Sequence, residues 1–164
     1  MNCDCYLPTD ADIRQMRIVP YKPEHAHEIL SGRLNDGVPE TTYQFGHNAD
    51  ILCVDGQSFT GIINGYVVAC GGISPLWPGV GEGWVLASHK IHENKFSVVR
   101  AVYDILGDLM DDHDYWRIQG STLADWTQGI RFARLLGFEN EGLMKAYGPD
   151  GSDYIRHARV KDGY

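Results

Sequence analysis

Residues 131–147 read RFARLLGFENEGLMKAY, and the fold turns on how this stretch divides. Its first half closes a helix. Trp126, Ile130, Ala133 and Leu136 recur at helical spacing, and Gly137 stands where a left-handed residue stops a helix. Residues 141–147 then enter a strand, and 153–160 return beside it around Gly148-Pro149-Asp150-Gly151, which predicts a closing hairpin. Upstream, Thr122 with Asp125 three residues on is a capping-box-like start for that helix. A strand is expected within 113–120, centred on Trp116-Arg117-Ile118. Before it, Val98, Val99, Val102, Ile105, Leu106 and Leu109 predict a long amphipathic helix with Asn94 as its N-cap.

Working toward the N-terminus, 58–63 and 66–73 are apolar runs on either side of Asn64-Gly65. Both turn residues tolerate positive φ, so a tight hairpin is expected. Pro75, Pro78, Gly79, Gly81 and Gly83 read as a loop, leading to a strand at 84–88 whose continuous apolarity suggests burial on both faces. A first strand fits 16–21. Pro23 suits the first turn of a helix that stops at Gly32. Residues 33–50 leave short helices or a long loop open. Residues 1–14 show no periodicity and are expected to be an N-terminal arm on a single domain spanning 15–164. The order gives an α/β (α+β) mixed sheet with helices on both sides.

With 164 residues, the chain is long enough for one domain with its own core. Fourteen basic against 22 acidic residues give a formal charge of -8, which excludes the basic face of a nucleic-acid binder and favours cationic partners. No apolar run reaches the roughly 18 residues of a membrane span, and no signal-peptide pattern opens the chain, so a cytoplasmic location is expected. Cys3, Cys5, Cys53 and Cys70 lack zinc spacing, and His25 and His27 would face apart on a helix; no metal is expected.

The element order, with RFARLLGF followed by ENEGLMKAY, resembles the GNAT N-acetyltransferase superfamily over about residues 16–160. Within it, the strand at 84–88, the unbroken long helix and Ile130-Arg131-Phe132 are similar to small GNAT-like proteins encoded by tailed bacteriophages. The resemblance implies a GNAT-like acyl-CoA N-acyltransferase fold and acetyl-coenzyme A (acetyl-CoA) as cofactor. Its pantetheine would run beside Leu86, Ala87 and Ser88, where Ser88→Trp should block it. Its pyrophosphate would meet the helix start at Glu93, Asn94, Lys95 and Phe96, with Lys90 standing in for the family's arginine. The family's glycine-rich loop is absent: 89–96 read HKIHENKF.

Ala133 occupies the position where many relatives carry a tyrosine acid, leaving Ser121, Tyr147 or Tyr154 as candidate proton donors and Glu82 as candidate base. Read from the residues alone, Glu82 is a solvated loop carboxylate, Trp84 and Trp126 are core, Asp111–Asp114 are a solvated run, and Arg156 and Arg159 balance local acids. The implied function is acetyl transfer to a primary amine of a small molecule or protein, by a monomer or homodimer. Two alternatives stand beside it: a catalytically degenerate phage protein, in the host cytoplasm or virion, that binds a host protein, and a coenzyme A-binding regulator.

Overall fold

A computed structural model describes residues 16–32 and 49–164; the expected arm at 1–14 and most of the ambiguous 33–50 segment lie outside the described residues. The elements are β1 (Met16–Pro20), α1 (Pro23–Ser31), β2 (Ser58–Ile63), β3 (Tyr66–Trp77), β4 (Val80–Ala87), α2 (Ile91–Asp112), β5 (Arg117–Leu123), α3 (Thr127–Leu135), β6 (Glu139–Met144) and β7 (Tyr154–Val160). They build one seven-stranded sheet in the order β1-β2-β3-β4-β5-β7-β6. Every neighbouring pair is antiparallel except β4 and β5. On one face α1 buries Ala26 and Ile29 against Tyr21, Val67, Cys70, Trp84 and Leu86. On the other, Leu106, Leu109 and Met110 of α2 pack with Ile73, Ile118 and Leu136.

The local grammar at two turns is as expected. Asn64 (φ 50) and Gly65 (φ 81) make the β2–β3 turn in the left-handed region. Gly137 (φ 84) ends α3: its N–H donates to Arg134 O and the Phe138 N–H to Ala133 O, at 3.0 Å each. That is the Schellman pattern, and Phe138 closes it by packing into the α2–α3 core. β6 therefore starts at once, at Glu139 rather than 141.

Three expectations give way. The expected Pro/Gly loop is mostly strand, with the turn confined to Pro78-Gly79. Its glycines are there for close packing: a Cβ on Gly81 would lie 2.3 Å from Ile73 Cγ2, and one on Gly79 2.2 Å from the Trp116 ring. Pro75 sits where the β3–β4 register shifts, a place a ladder tolerates proline. Glu82 is therefore a strand residue. Thr122 does not cap α3. β5 extends through it, its hydroxyl lies 2.8 Å from His157 Nε2, and Trp126 is the residue before the helix. Asn94 does not cap with its side chain either. It breaks α2 near its start (φ -126, ψ 15), and its Nδ2 donates back to Lys90 O at 3.1 Å.

Candidate functional site

β4 and β5 pair at three positions: Val80 with Arg117, Gly81 with Ile118, and Glu82 with Gln119. Both strands then run on without pairing to each other. Each is held on its outer side. Ser88 N–H donates to Val68 O at 2.9 Å, in register with the Leu86–Cys70 and Trp84–Gly72 pairs. Antiparallel ladders alternate bonded and non-bonded pairs, so Leu86 and Trp84 give their peptide groups to β3 while Val85 and Ala87 turn theirs toward β5. Across the gap, Lys161 N–H donates to Trp116 O and Ala124 N–H to Asp153 O, both at 2.9 Å. The same alternation gives Gly120 and Thr122 to β7 and turns Ser121 and Leu123 toward β4. The wedge is thus lined on both sides by peptide groups that no strand pairs.

Polar side chains gather where the strands part. Trp84 and Leu86 lie under α1, so Glu82, two residues earlier, shares that face. Ile118 lies under α2, which puts Arg117, Gln119 and Ser121 on the α1 side. Both Glu82 carboxylate oxygens accept from Arg156 Nη1 at 2.9 Å, and Oε2 accepts also from Gln119 Nε2 at 3.1 Å. Gln119 Oε1 accepts from Arg117 Nε at 3.0 Å, and Arg117 Nη1 donates to Glu141 Oε1 at 2.8 Å. Hydrogen bonds from Arg117 hold the Glu141 carboxyl below the usual carboxylate range. The guanidinium carbon of Arg156 lies 5.9 Å from the Tyr147 ring centroid, and Tyr147 meets Tyr154 edge-on.

Two buried polar atoms here have no hydrogen-bond partner, Trp84 Nε1 and Ser121 Oγ. Continuing the β4–β5 register past Glu82–Gln119 brings Ser121 opposite Trp84. Buried polar groups in folded proteins are almost always satisfied, so the vertex is unusual. Trp126 Nε1, packed on Gly129 at the start of α3, is the third such atom among the described residues.

The residues singled out in the sequence fall into groups. Glu82 and Ser121 come together at the vertex, and Arg156 links Glu82 to Tyr147. Ala87 directs its backbone into the wedge, whereas the Leu86 side chain is core and the Ser88 hydroxyl donates to Val67 O (3.2 Å) and Val68 O (3.0 Å). Ser88→Trp would therefore disrupt β3 instead of filling the wedge. Lys90 Nζ sits 4.0 Å from the Tyr66 ring centroid, beside a cavity of about 120 Å³ lined also by Ile63, Asn64, Val68, Glu93 and Asn94. Lys95 Nζ lies 5.3 Å from the Phe96 ring centroid, and Phe96 is 75% exposed at the helix start. Sequence reading missed Val85, Leu123 and Gln119. Counting back by two from Ala87 would have found Val85. Arg156 does balance an acid, and that acid is Glu82. Among the described residues no group of three or more His, Cys, Asp or Glu is placed to hold a metal ion. No helix among them is long and apolar enough to cross a membrane.

No protein-family description matches the sequence, and no curated protein matches it. Solved structures do. Ard1 from Thermoplasma volcanium matches with a TM-score of 0.73 at 14% identity, over 89% of this chain and 97% of that one. The ribosomal-protein-S5-alanine acetyltransferase from Vibrio fischeri matches at 0.66 and 14%, over 92% and 95%. RimL, a ribosomal L7/L12 α-N-protein acetyltransferase solved in complex with coenzyme A, matches at 0.67 and 13%, over 92% and 96%. Over nearly its whole length, then, this single-domain chain has the fold of the GNAT acetyltransferases.

Proposed function

We propose that the protein is an N-acetyltransferase that moves the acetyl group of acetyl-CoA to a primary amine of a small molecule or protein. The observation that carries this is the wedge: unpaired peptide groups of Val85 and Ala87 face those of Ser121 and Leu123. Such an edge accepts an extended chain bearing amides, which is what pantetheine is. Ala87 and Val85 would pair with it. The amides that begin α2, with Lys90 and Lys95 near them, would meet the pyrophosphate, and Asn94 and Phe96 border that end.

Acetyl-CoA brings a thioester whose carbonyl carbon is the electrophile. The chain's part is orientation and proton handling. Glu82 takes one proton from the acceptor ammonium. The amine nitrogen bonds the carbonyl carbon, the C–S bond breaks, and the sulfur takes up the second amine proton by way of the Ser121 hydroxyl, with Tyr147 further out on the rim. The products are the amide, coenzyme A as thiol, and one proton that Glu82 returns to solvent. A second reading, a coenzyme A-binding regulator without transfer, is favoured by one observation: Arg156 already occupies Glu82.

Calorimetric titration with acetyl-CoA and with desulfo-coenzyme A tests the wedge. Saturable micromolar binding is expected. Val85→Pro replaces an N–H that faces the wedge with a ring carbon, and should weaken binding at least tenfold, the value of the one hydrogen bond of about 1.4 kcal/mol that it removes. No binding at millimolar ligand overturns the proposal.

A further inference from the structure

The Glu82–Arg156 pair bridges strands that are not neighbours. Glu82 is on β4 and Arg156 on β7, with β5 between them, so the pair arches over Gln119 and Ser121 where the wedge opens. The two partners are held unequally. Glu82 is fixed from below by Gln119, which Arg117 fixes in turn, with Glu141 behind it. Arg156 donates to Glu82 through Nη1, and its charge acts on the Glu141 carboxylate as well. Its guanidinium also lies within reach of the Tyr147 ring, a second seat for a cation. With side chains 21% and 32% exposed, the pair is accessible to a solute but not open to bulk water. Beneath it, Ser121 Oγ is buried without a partner, directly across from Arg156 in the β5–β7 register.

We propose that the acceptor is a zwitterion, an amine carrying a carboxylate on the same small molecule, and that it inserts between Glu82 and Arg156. This rests on the acetyltransferase reading and adds the substrate class. The ammonium pairs with Glu82 on the wedge side, next to where the thioester would lie. The carboxylate pairs with Arg156 on the β7 side, where a guanidinium fork matches two oxygens. Drawing Arg156 off Glu82 frees the carboxylate to accept the ammonium proton, so an acceptor with the right anion also unlocks the base. The transfer balances as before, and Arg156 keeps its charge throughout as a positioning residue. A zwitterion has no net charge, so the formal charge of -8 does not repel it as it would a plain anion.

The test compares α-amino acids with the matching α-amino amides at saturating acetyl-CoA, reading thiol release. The amides keep the amine and side chain and lack the carboxylate. Wild type should show kcat/KM at least tenfold higher for the acids. Arg156→Gln should lower the acids at least tenfold relative to the amides, abolishing the preference. Equal use of acids and amides by wild type overturns the inference without any variant. So does an Arg156→Gln protein that keeps the preference. If acetyl-CoA binds by calorimetry but neither series reacts, the zwitterion inference fails and the coenzyme assignment stands. Absent acetyl-CoA binding overturns both.

Discussion

His157 is 3% exposed, and its Nε2 lies 2.8 Å from the Thr122 hydroxyl on the sheet face that α3 covers. Burial lowers its pKa from the ordinary value near 6.5 because the charged imidazolium is poorly solvated there. In the unfolded chain the same ring protonates near 6.5. Its contribution to stability is therefore complete above that pH and declines as the pH falls below it, until the folded protein also takes up the proton. Urea midpoints measured between pH 7.5 and 5, a range on the order of one unit either side of the ordinary value, should fall toward acid. His157→Gln should flatten that slope. The Glu141 carboxyl, held low by Arg117, gives up its share only further into acid. None of this was legible in the sequence, where His157 was one of 7 histidines. Its partner, Thr122, read as a helix cap because a capping signature is local and its contact with His157 is not.

The α3–β6 junction was legible because its bonds reach only across one turn. Leu136 enters the core, Gly137 takes a positive φ, and Phe138 seals the cap, all within three residues. Gly137→Ala should cost about 1 kcal/mol, read as a shift in the denaturant midpoint with an unchanged slope. At the β3–β4 hairpin the sequence misled. Gly81, which signals a loop, stands in β4 because Ile73 and Tyr115 leave little room for a Cβ, and Pro75 stands in β3 where the register shifts. Gly81→Ala, whose Cβ would press on Ile73, should cost about 1–3 kcal/mol by overpacking. The wedge itself was expected from resemblance alone. No residue type marks where two parallel strands stop pairing, and the choice of Val85 over Leu86 depends on ladder phase.

The sheet as a whole is two ladders, β1–β4 and β5–β7–β6, joined by three residue pairs and by the α2 core beneath them. The amides of Val85, Ala87, Ser121 and Leu123 should exchange with solvent faster than those of Leu86 and Ile118. Acetyl-CoA at about 100 times its Kd should slow them and add roughly 2.7 kcal/mol to global stability. Exchange unchanged by ligand would remove the wedge from the binding site. The same seam also falls at one place along the chain. Among the described residues, every element up to Asp112 belongs to one ladder and its two helices, and every element from Arg117 belongs to the other. The protein is thus divisible: fragments 1–112 and 113–164, expressed separately, should reassemble through Leu106, Leu109 and Met110 meeting Ile118 and Leu136. A ligand seated between the ladders would then act as the clasp, making fragment complementation a direct readout of coenzyme occupancy.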